Sequence, residues 1–325
     1  MSSTHFLTGA LGCIGAWVVR RLLDRGDRPL VFDLGGEPAR LKDLLEPEEF
    51  DQVLFLQGDV TDTAAVYRAM AESGAEHVIH LAGLQVPFCK ADPPKGAAVN
   101  VLGTLNVFEA AKRCGLQRVA YASSAAVYGK DDLGANGTAP DEDVACHPGN
   151  HYGVFKAANE GNARIYFQDD GLSSTGLRPL TVYGVGRDQG MTSDPTRAAK
   201  AAVLARPFTL RFSGSTDFLY AKDCADAFIA AAERGPEGAQ VYNLHGETHS
   251  VASVVDRLRA LCPEAGDLLI DGPELPIPPQ MDGSRIEREL GPLPRTSLED
   301  GLAETVQRFR ELHAQGRLRT HDLEN

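Results

Sequence analysis

Between residues 4 and 25 the chain reads strand, glycine turn, helix, and this order restricts the fold more than any other stretch. Residues 4–7 form a short strand-like run, Thr8-Gly9-Ala10-Leu11-Gly12-Cys13-Ile14-Gly15 follows, and an amphipathic stretch continues from Ala16 to about Arg25. Glycines at 9, 12 and 15 permit a tight turn, close approach of backbone to a pyrophosphate, and close packing of a helix on a strand. A bound anion then faces the free amides of the helix N-terminus. Gly9, Gly12, Cys13, Ile14 and Gly15 are therefore candidate dinucleotide-binding residues. The spacing is Gly-x-x-Gly-x-x-Gly rather than Gly-x-Gly-x-x-Gly.

A second strand, 29–32, ends in Asp33, 18 residues past Gly15. A carboxylate there accepts bonds from the adenosine ribose and repels a 2′-phosphate, which selects NAD over NADP. Gly35 and Gly36 follow in place of a basic residue, and Arg40 is the first cation beyond them. The alternation continues through strand 53–56, helix 64–72, strand 77–81 and strand 119–122. Such a pattern predicts a parallel, doubly wound sheet whose ligands lie along the carboxyl ends of its strands. Asp59, Val60, Leu81, Ala82, Gly83 and Ser123 occupy those ends and join the cofactor candidates. Ser124 and Gln85 are placed to meet a substrate.

Tyr152 and Lys156 stand four apart at the start of a helical run reaching Gln168. On a helix they share one face. An ammonium beside a phenol favours the phenolate and lowers a pKa that is ordinarily roughly 10, making Tyr152 an acid/base for a carbon bearing a hydroxyl. This helix is apolar nearly all round, through Val154, Phe155, Ala158, Ile165 and Phe167, and so is the helix expected over 97–113 after a loop stopped by Pro93 and Pro94. Two such helices need more cover than one sheet face supplies. A homodimer through the helices containing Asn100 and Tyr152 would provide it; cover by the chain's own C-terminal lobe is the alternative.

Beyond strand 174–177 and Arg178-Pro179 the alternation breaks down. Residues 182–215, with several glycines and a helix over 196–205, read as a substrate-covering insertion. Helix 223–233 and strand 240–244 return to the main sheet. Helix 251–261, a Pro-rich connection over 273–279 and a last helix capped by Ser297-Leu298-Glu299-Asp300 form a smaller lobe. The expected division is 1–183 and 217–247 for the nucleotide, 184–216 and 248–316 for the substrate, and a frayed tail over 317–325, its fraying placed after Gln315.

The net charge of −13 over 325 residues argues against nucleic acid or an anionic membrane surface, since phosphates need a basic face. The 6 cysteines show no paired spacing and no zinc pattern, so reduced thiols, no metal and a cytoplasmic location are expected. No cationic leader precedes the first strand, and no run approaches the ~20 apolar residues of a membrane span.

Taken in order, these residues resemble the extended short-chain dehydrogenase/reductases, in particular the NAD-dependent epimerase/dehydratase family. The likeness runs from Thr8 to about Leu298. It rests on the glycine turn, Asp33, Gly58-Asp59-Val60, His80-Leu81-Ala82-Gly83, Asn100 with Gly103-Thr104 and Asn106, Ser123-Ser124 with Val127-Tyr128-Gly129, Tyr152 with Lys156, and Arg178-Pro179. The resemblance implies an α/β Rossmann-like doubly wound sheet with a smaller C-terminal substrate-binding lobe, and NAD as cofactor. It implies Tyr152 as general acid/base, Lys156 as its partner and a donor to the nicotinamide ribose, Ser124 as the group orienting the substrate oxygen, and Asn100 and Pro179 as further cofactor residues.

The departures narrow the substrate. Family dehydratases carry Asp-Glu after the catalytic Ser/Thr, where this chain has Ala125-Ala126. Nucleotide-sugar epimerases place Asn at the position of Thr181, Arg before the Asp of Thr216-Asp217, and Arg-Pro-Gly-Asp where this chain has Glu274-Leu275-Pro276-Ile277-Pro278-Pro279. A diphosphate needs such donors. The expected substrate is therefore a small polyhydroxy compound, a free sugar or sugar acid, contacted by Gln85, Ser124, Ala125, Thr181 and Arg187, with Gln189 and Arg211 as further candidates in the insertion. His147 and His151 read as loop histidines. The first expectation is NAD-dependent dehydrogenation of a secondary alcohol; the alternative is a UDP-glucose 4-epimerase-like reaction, and a third is NAD sensing without chemistry.

Overall fold

The computed structural model describes residues 2–134 and 137–324; Met1, Ala135, Asn136 and Asn325 lie outside the described residues, Ala135 and Asn136 within the loop expected over 129–149. In chain order the strands are β1 (Thr4–Thr8), β2 (Arg28–Asp33), β3 (Leu54–Gln57), β4 (His77–His80), β5 (Arg118–Ala122), β6 (Ser173–Pro179), β7 (Thr181–Tyr183), β8 (Phe208–Leu210), β9 (Ser215–Tyr220), β10 (Ala239–Leu244), β11 (Glu247–Ser250) and β12 (Leu268–Ile270). Seven make one parallel sheet in the order β10-β6-β5-β4-β1-β2-β3. The order reverses between β1 and β4, and a crevice opens there. A three-stranded sheet, β11-β9-β7, and the pair β12-β8 lie outside it.

Successive residues of each central strand enter opposite layers. Phe6 packs with Leu30, Phe32, Val78, Val119 and Tyr121 on the side covered by helices Thr63–Ser73 and Gly103–Arg113. Leu7 packs with Val31, Ile79, Ala120 and Leu177 under helices Cys13–Asp24 and Ala221–Arg234. That second layer continues into helices Val251–Leu261 and Leu298–Ala314 through Val254, Leu258, Leu302, Val306 and Phe309. The last of these helices opens as its sequence predicts, with Ser297 Oγ accepting from the Asp300 amide at 3.1 Å.

Three expectations are corrected. Pro93 and Pro94 do not stop a loop; they open helix Pro93–Ala97, where Asp92 caps the Lys95 amide at 3.0 Å and no proline amide is needed. The helix expected from Ala97 widens into a π turn, Ala98–Leu102, before Gly103–Arg113. There the Asn100 carbonyl accepts from Thr104 Oγ1 at 2.7 Å and from Asn159 Nδ2 at 2.8 Å, side-chain bonds that compete with the regular ladder. The tail is not frayed. Lys200 Nζ lies 2.8 and 2.7 Å from the two Asp322 oxygens, both residues are about 5% exposed, and Arg317 and Arg319 reach back to residues 42–46.

The C-terminal segments leave the expected apolar faces open. Leu102, Val154 and Ile165 are 45%, 47% and 49% exposed. Cover by the chain's own lobe is thereby ruled out for these three residues.

Candidate active site and cofactor cleft

A cleft of about 670 Å³ runs along the carboxyl ends of β2, β1, β4 and β5 and on to β6. Its nucleotide half is walled by Gly9, Gly12, Cys13, Ile14, Gly15, Asp33, Asp59 and Val60, its centre by Leu81, Ala82, Gly83, Ser123, Ser124, Tyr152, Lys156 and Pro179, and its far end by Gln85, Ala125 and Arg187.

The glycine turn meets the steric demands that its sequence implies. A Cβ on Gly9, at φ +71°, would fall 2.4 Å from the Ala82 amide, and one on Gly15 would fall 2.5 Å from the Gly9 carbonyl. A Cβ on Gly12 would have only the Gly9 carbonyl nearby, at 3.1 Å. The turn therefore passes directly into helix Cys13–Asp24, three residues earlier than expected, so the third glycine lies within the first helical turn. Asp33 accepts from the Leu34 amide at 2.8 Å and the Leu11 amide at 3.2 Å, which fixes the carboxylate at the rim; burial raises its pKa. Arg40 also lines the cleft, but Asp188 holds it through three bonds of 2.6 to 3.2 Å and Leu11 O takes its Nη1. Its charge is neutralised and unavailable to a 2′-phosphate. The donor set fits NAD: free amides at a helix start, a glycine floor and a rim carboxylate for ribose hydroxyls.

Helix His151–Asp170 carries the reacting pair. Asn150 caps it by accepting from the Gly153 amide at 3.0 Å, and Gly171 ends it in a left-handed conformation. A Cβ at Gly153 would fall 2.0 Å from Ala126 O, so the glycine lets the helix seat against the Ser124 loop. Lys156, 4% exposed, donates to Ala122 O at 2.6 Å and lies 5.5 Å from the centroid of the Tyr152 ring. Burial lowers its pKa to about 8. Ser124 Oγ accepts from the Ala126 amide at 3.1 Å and is within hydrogen-bonding reach of the Tyr152 hydroxyl.

The expected lowering of the Tyr152 pKa is reversed. Burial raises it, against smaller opposing effects of Ser124 and Arg187, because the ammonium sits over the ring face rather than at the phenol oxygen. His80 is a structural member of its motif: its ring nitrogens lie 2.6 Å from Thr8 Oγ1 and 3.0 Å from Thr104 Oγ1, and burial pushes its pKa down to about 3.

Further site expectations are corrected. Asn100 is fully buried behind Gly83, its amide nitrogen spent on Leu84 O, Gly96 O and Cys89 Sγ, and it does not reach the cleft wall. Thr181 points away, its hydroxyl 2.8 Å from that of Thr216, with the two residues 0% and 1% exposed. Arg211 is committed to Asp194, with bonds of 3.0 and 2.6 Å. Gln189 is exposed and Ser123 turns its hydroxyl to Glu160, so Ser123 meets the cleft without offering that group. Sequence reasoning missed the apolar cover of the far end, Leu275, Pro276 and Ile277 with Val86, Pro87 and Met191. Its only signal was the proline-rich run that replaces a charged family motif.

Away from the cleft, at the amino ends of β1 and β4, ligand atoms of His5, His77 and Glu233 lie within 4.8 Å of one another, with Arg25 bonded to Glu233 at 2.7 Å. No helix among the described residues is long and apolar enough to cross a membrane.

A doubly wound sheet with a glycine-turn nucleotide cleft and a Ser–Tyr–Lys set over its centre defines an NAD-dependent enzyme of the extended short-chain dehydrogenase/reductase type. The family model described as "NAD dependent epimerase/dehydratase family" matches residues 5–244. The chain belongs to that family. It is similar to a UDP-glucose 4-epimerase of Mycolicibacterium smegmatis, 30% identical over 94% of this chain and 97% of the relative. UDP-glucuronate 4-epimerase 4 of Arabidopsis thaliana is 28% identical over 93% of this chain and 74% of the relative. Among solved structures, the Thermus thermophilus UDP-glucose 4-epimerase complex with NAD superposes at a TM-score of 0.79, with 25% identity over 94% of this chain and 99% of that one.

Proposed function

We propose that the enzyme epimerises a secondary carbinol of a sugar by transient oxidation. The observation that carries this reading is the placement of Ser124, Tyr152 and Lys156 midway along one cleft whose far end is capped by 275–277. A carbonyl formed there lies within the cleft, beside the apolar segment 275–277. The near full-length likeness to a UDP-glucose 4-epimerase supports the same reading and favours it over net dehydrogenation.

NAD, when bound, supplies the hydride acceptor and donor. Tyr152, as the phenolate, takes the proton of the substrate hydroxyl on oxidation and returns it on reduction. Ser124, its oxygen already accepting from the Ala126 amide, donates to the reacting oxygen. Lys156, anchored on Ala122 O, keeps two donor protons for the nicotinamide ribose. Gly9, Gly12, Cys13, Ile14 and Gly15 hold the pyrophosphate, and Asp33 holds the adenosine ribose. The segments 184–216 and 248–316 serve as the substrate-covering part.

The test is product analysis with UDP-glucose and UDP-glucuronate. The expected outcome is a stereochemically inverted sugar, no accumulating NADH, and near-stoichiometric NAD released on denaturing the purified protein. NADH accumulating one for one with a released ketone would sink it. That outcome is net dehydrogenation, the chemistry of the second reading, which takes a free sugar or sugar acid as substrate and is favoured by the Thr181–Thr216 pair, two family positions that would otherwise grip a nucleotide.

We also infer a homodimer through the helices containing Asn100 and Tyr152, supported by the exposed Leu102, Val154 and Ile165. Light scattering is expected to give twice the chain mass; a single-chain mass at micromolar concentration would overturn it.

A further inference from the structure

Arg187 stands at the far end of the cleft without an ionic partner, although the chain carries a net charge of −13. Its Nη2 donates to Thr192 Oγ1 at 3.0 Å, and its buried Nε has no acceptor. No salt bridge among the described residues involves it, and the neighbouring Asp188 is taken by Arg40. Facing it, Gln85 Oε1 is also buried and unpaired. Gly190 makes this pairing possible: at φ +98°, a Cβ there would fall 2.4 Å from Gln85 Oε1 and 3.2 Å from Arg187 Nη2. The glycine lets the backbone come close to both orphaned polar groups without displacing either.

Buried donors and acceptors left without partners mark places where a ligand completes the bonding. A guanidinium with free donors in a partly apolar pocket is matched by a planar anion bound through two oxygens. An unpaired amide oxygen beside it is matched by a hydroxyl. Val86, Met191 and Ile277 line the same cleft and give the pair apolar neighbours. Lys95 lines the same cleft, while Thr181 and Thr216 are taken up with each other.

We infer that the substrate is a sugar acid whose carboxylate is held by Arg187 while Gln85 Oε1 accepts from a neighbouring hydroxyl, in the cleft that both residues line. This rests on the redox reading of the same cleft, with Tyr152 and Ser124 acting on a carbinol further along the chain of the acid. The acid is either free or linked to a nucleotide; the recognition chemistry at Arg187 is the same.

Calorimetry on the NAD-loaded enzyme tests it, with D-glucuronate against D-glucose and UDP-glucuronate against UDP-glucose. The acid of at least one pair is expected to bind about 10²-fold more tightly than its neutral counterpart, the size of a charge-assisted bidentate contact. Arg187→Met removes that preference while keeping NAD affinity, which shows the variant folded, and Arg187→Lys restores part of it. Gly190→Ala weakens the acid in the same manner. Preference for free glucuronate identifies a free acid; preference confined to the UDP pair identifies a nucleotide-linked one. Equal affinity for acid and neutral sugar, or a preference untouched in Arg187→Met, overturns the inference. Failure of the redox reading is seen separately: the acid would bind through Arg187 with no change in nicotinamide absorbance and no inverted product.

Discussion

Replacing Tyr152 with Phe is expected to lower turnover by roughly 10²-fold or more while leaving NAD affinity nearly intact, because only the acid/base oxygen is removed. The ring remains to pack beside Lys156, whose ammonium lies 5.5 Å from its centroid. Stopped-flow reduction of the bound nicotinamide, compared with NAD binding by fluorescence, separates the two effects. Near-normal turnover would remove Tyr152 from the chemistry. The wild-type pH profile carries a counterpart. Burial has lowered Lys156 to about 8, so its charge is present below that pH and is lost as pH rises through it. Turnover should therefore fall on the alkaline side of about pH 8.

The largest expected loss of stability comes from the opposite end of the chain. Asp322→Ala leaves the Lys200 ammonium buried, 5% exposed, with both carboxylate bonds of 2.8 and 2.7 Å removed. Breaking one side of a buried pair costs roughly 3–5 kcal/mol. Replacing both partners, Lys200→Met with Asp322→Leu, should recover most of it, because no charge is left stranded. Urea denaturation of the two variants checks both statements. Equal stability of Asp322→Ala and wild type would show that the tail is dispensable.

The parts of the molecule legible in the sequence were those whose chemistry is local. The glycine turn at 9, 12 and 15, the alternation of strands and helices, the Asp33 rim and the Ser297 cap depend on neighbours within a few residues. Tyr152 and Lys156 were legible for the same reason, one helical turn apart. The direction of the Tyr152 shift was not, since burial is set by the whole cleft and the Lys156 ammonium lies over the ring rather than at the phenol oxygen. Thr181 could not be placed from its neighbours because its partner, Thr216, lies 35 residues away and arrives only through the pairing of β7 with β9. The tail misled in the same way: Lys200 and Asp322 are 122 residues apart. The prolines at 93 and 94 were a misreading of a local signal, because Asp92 before them is an N-cap.

The Thr181–Thr216 pair also limits which sequences this chain can reach by single substitutions. The family resemblance implies Arg at the second of these positions and Asn at the first in nucleotide-sugar epimerases. Reverting Thr216 alone would force a guanidinium into a site 1% exposed, against a hydroxyl that cannot neutralise it. Reverting Thr181 alone would enlarge a residue that is 0% exposed and remove the partner of Thr216. Neither step is neutral by itself, and contacting residues are expected to depart from additivity. The two hydroxyls thus behave as one unit: a double-mutant cycle at 181 and 216 is expected to show that what can stand at either position depends on what stands at the other.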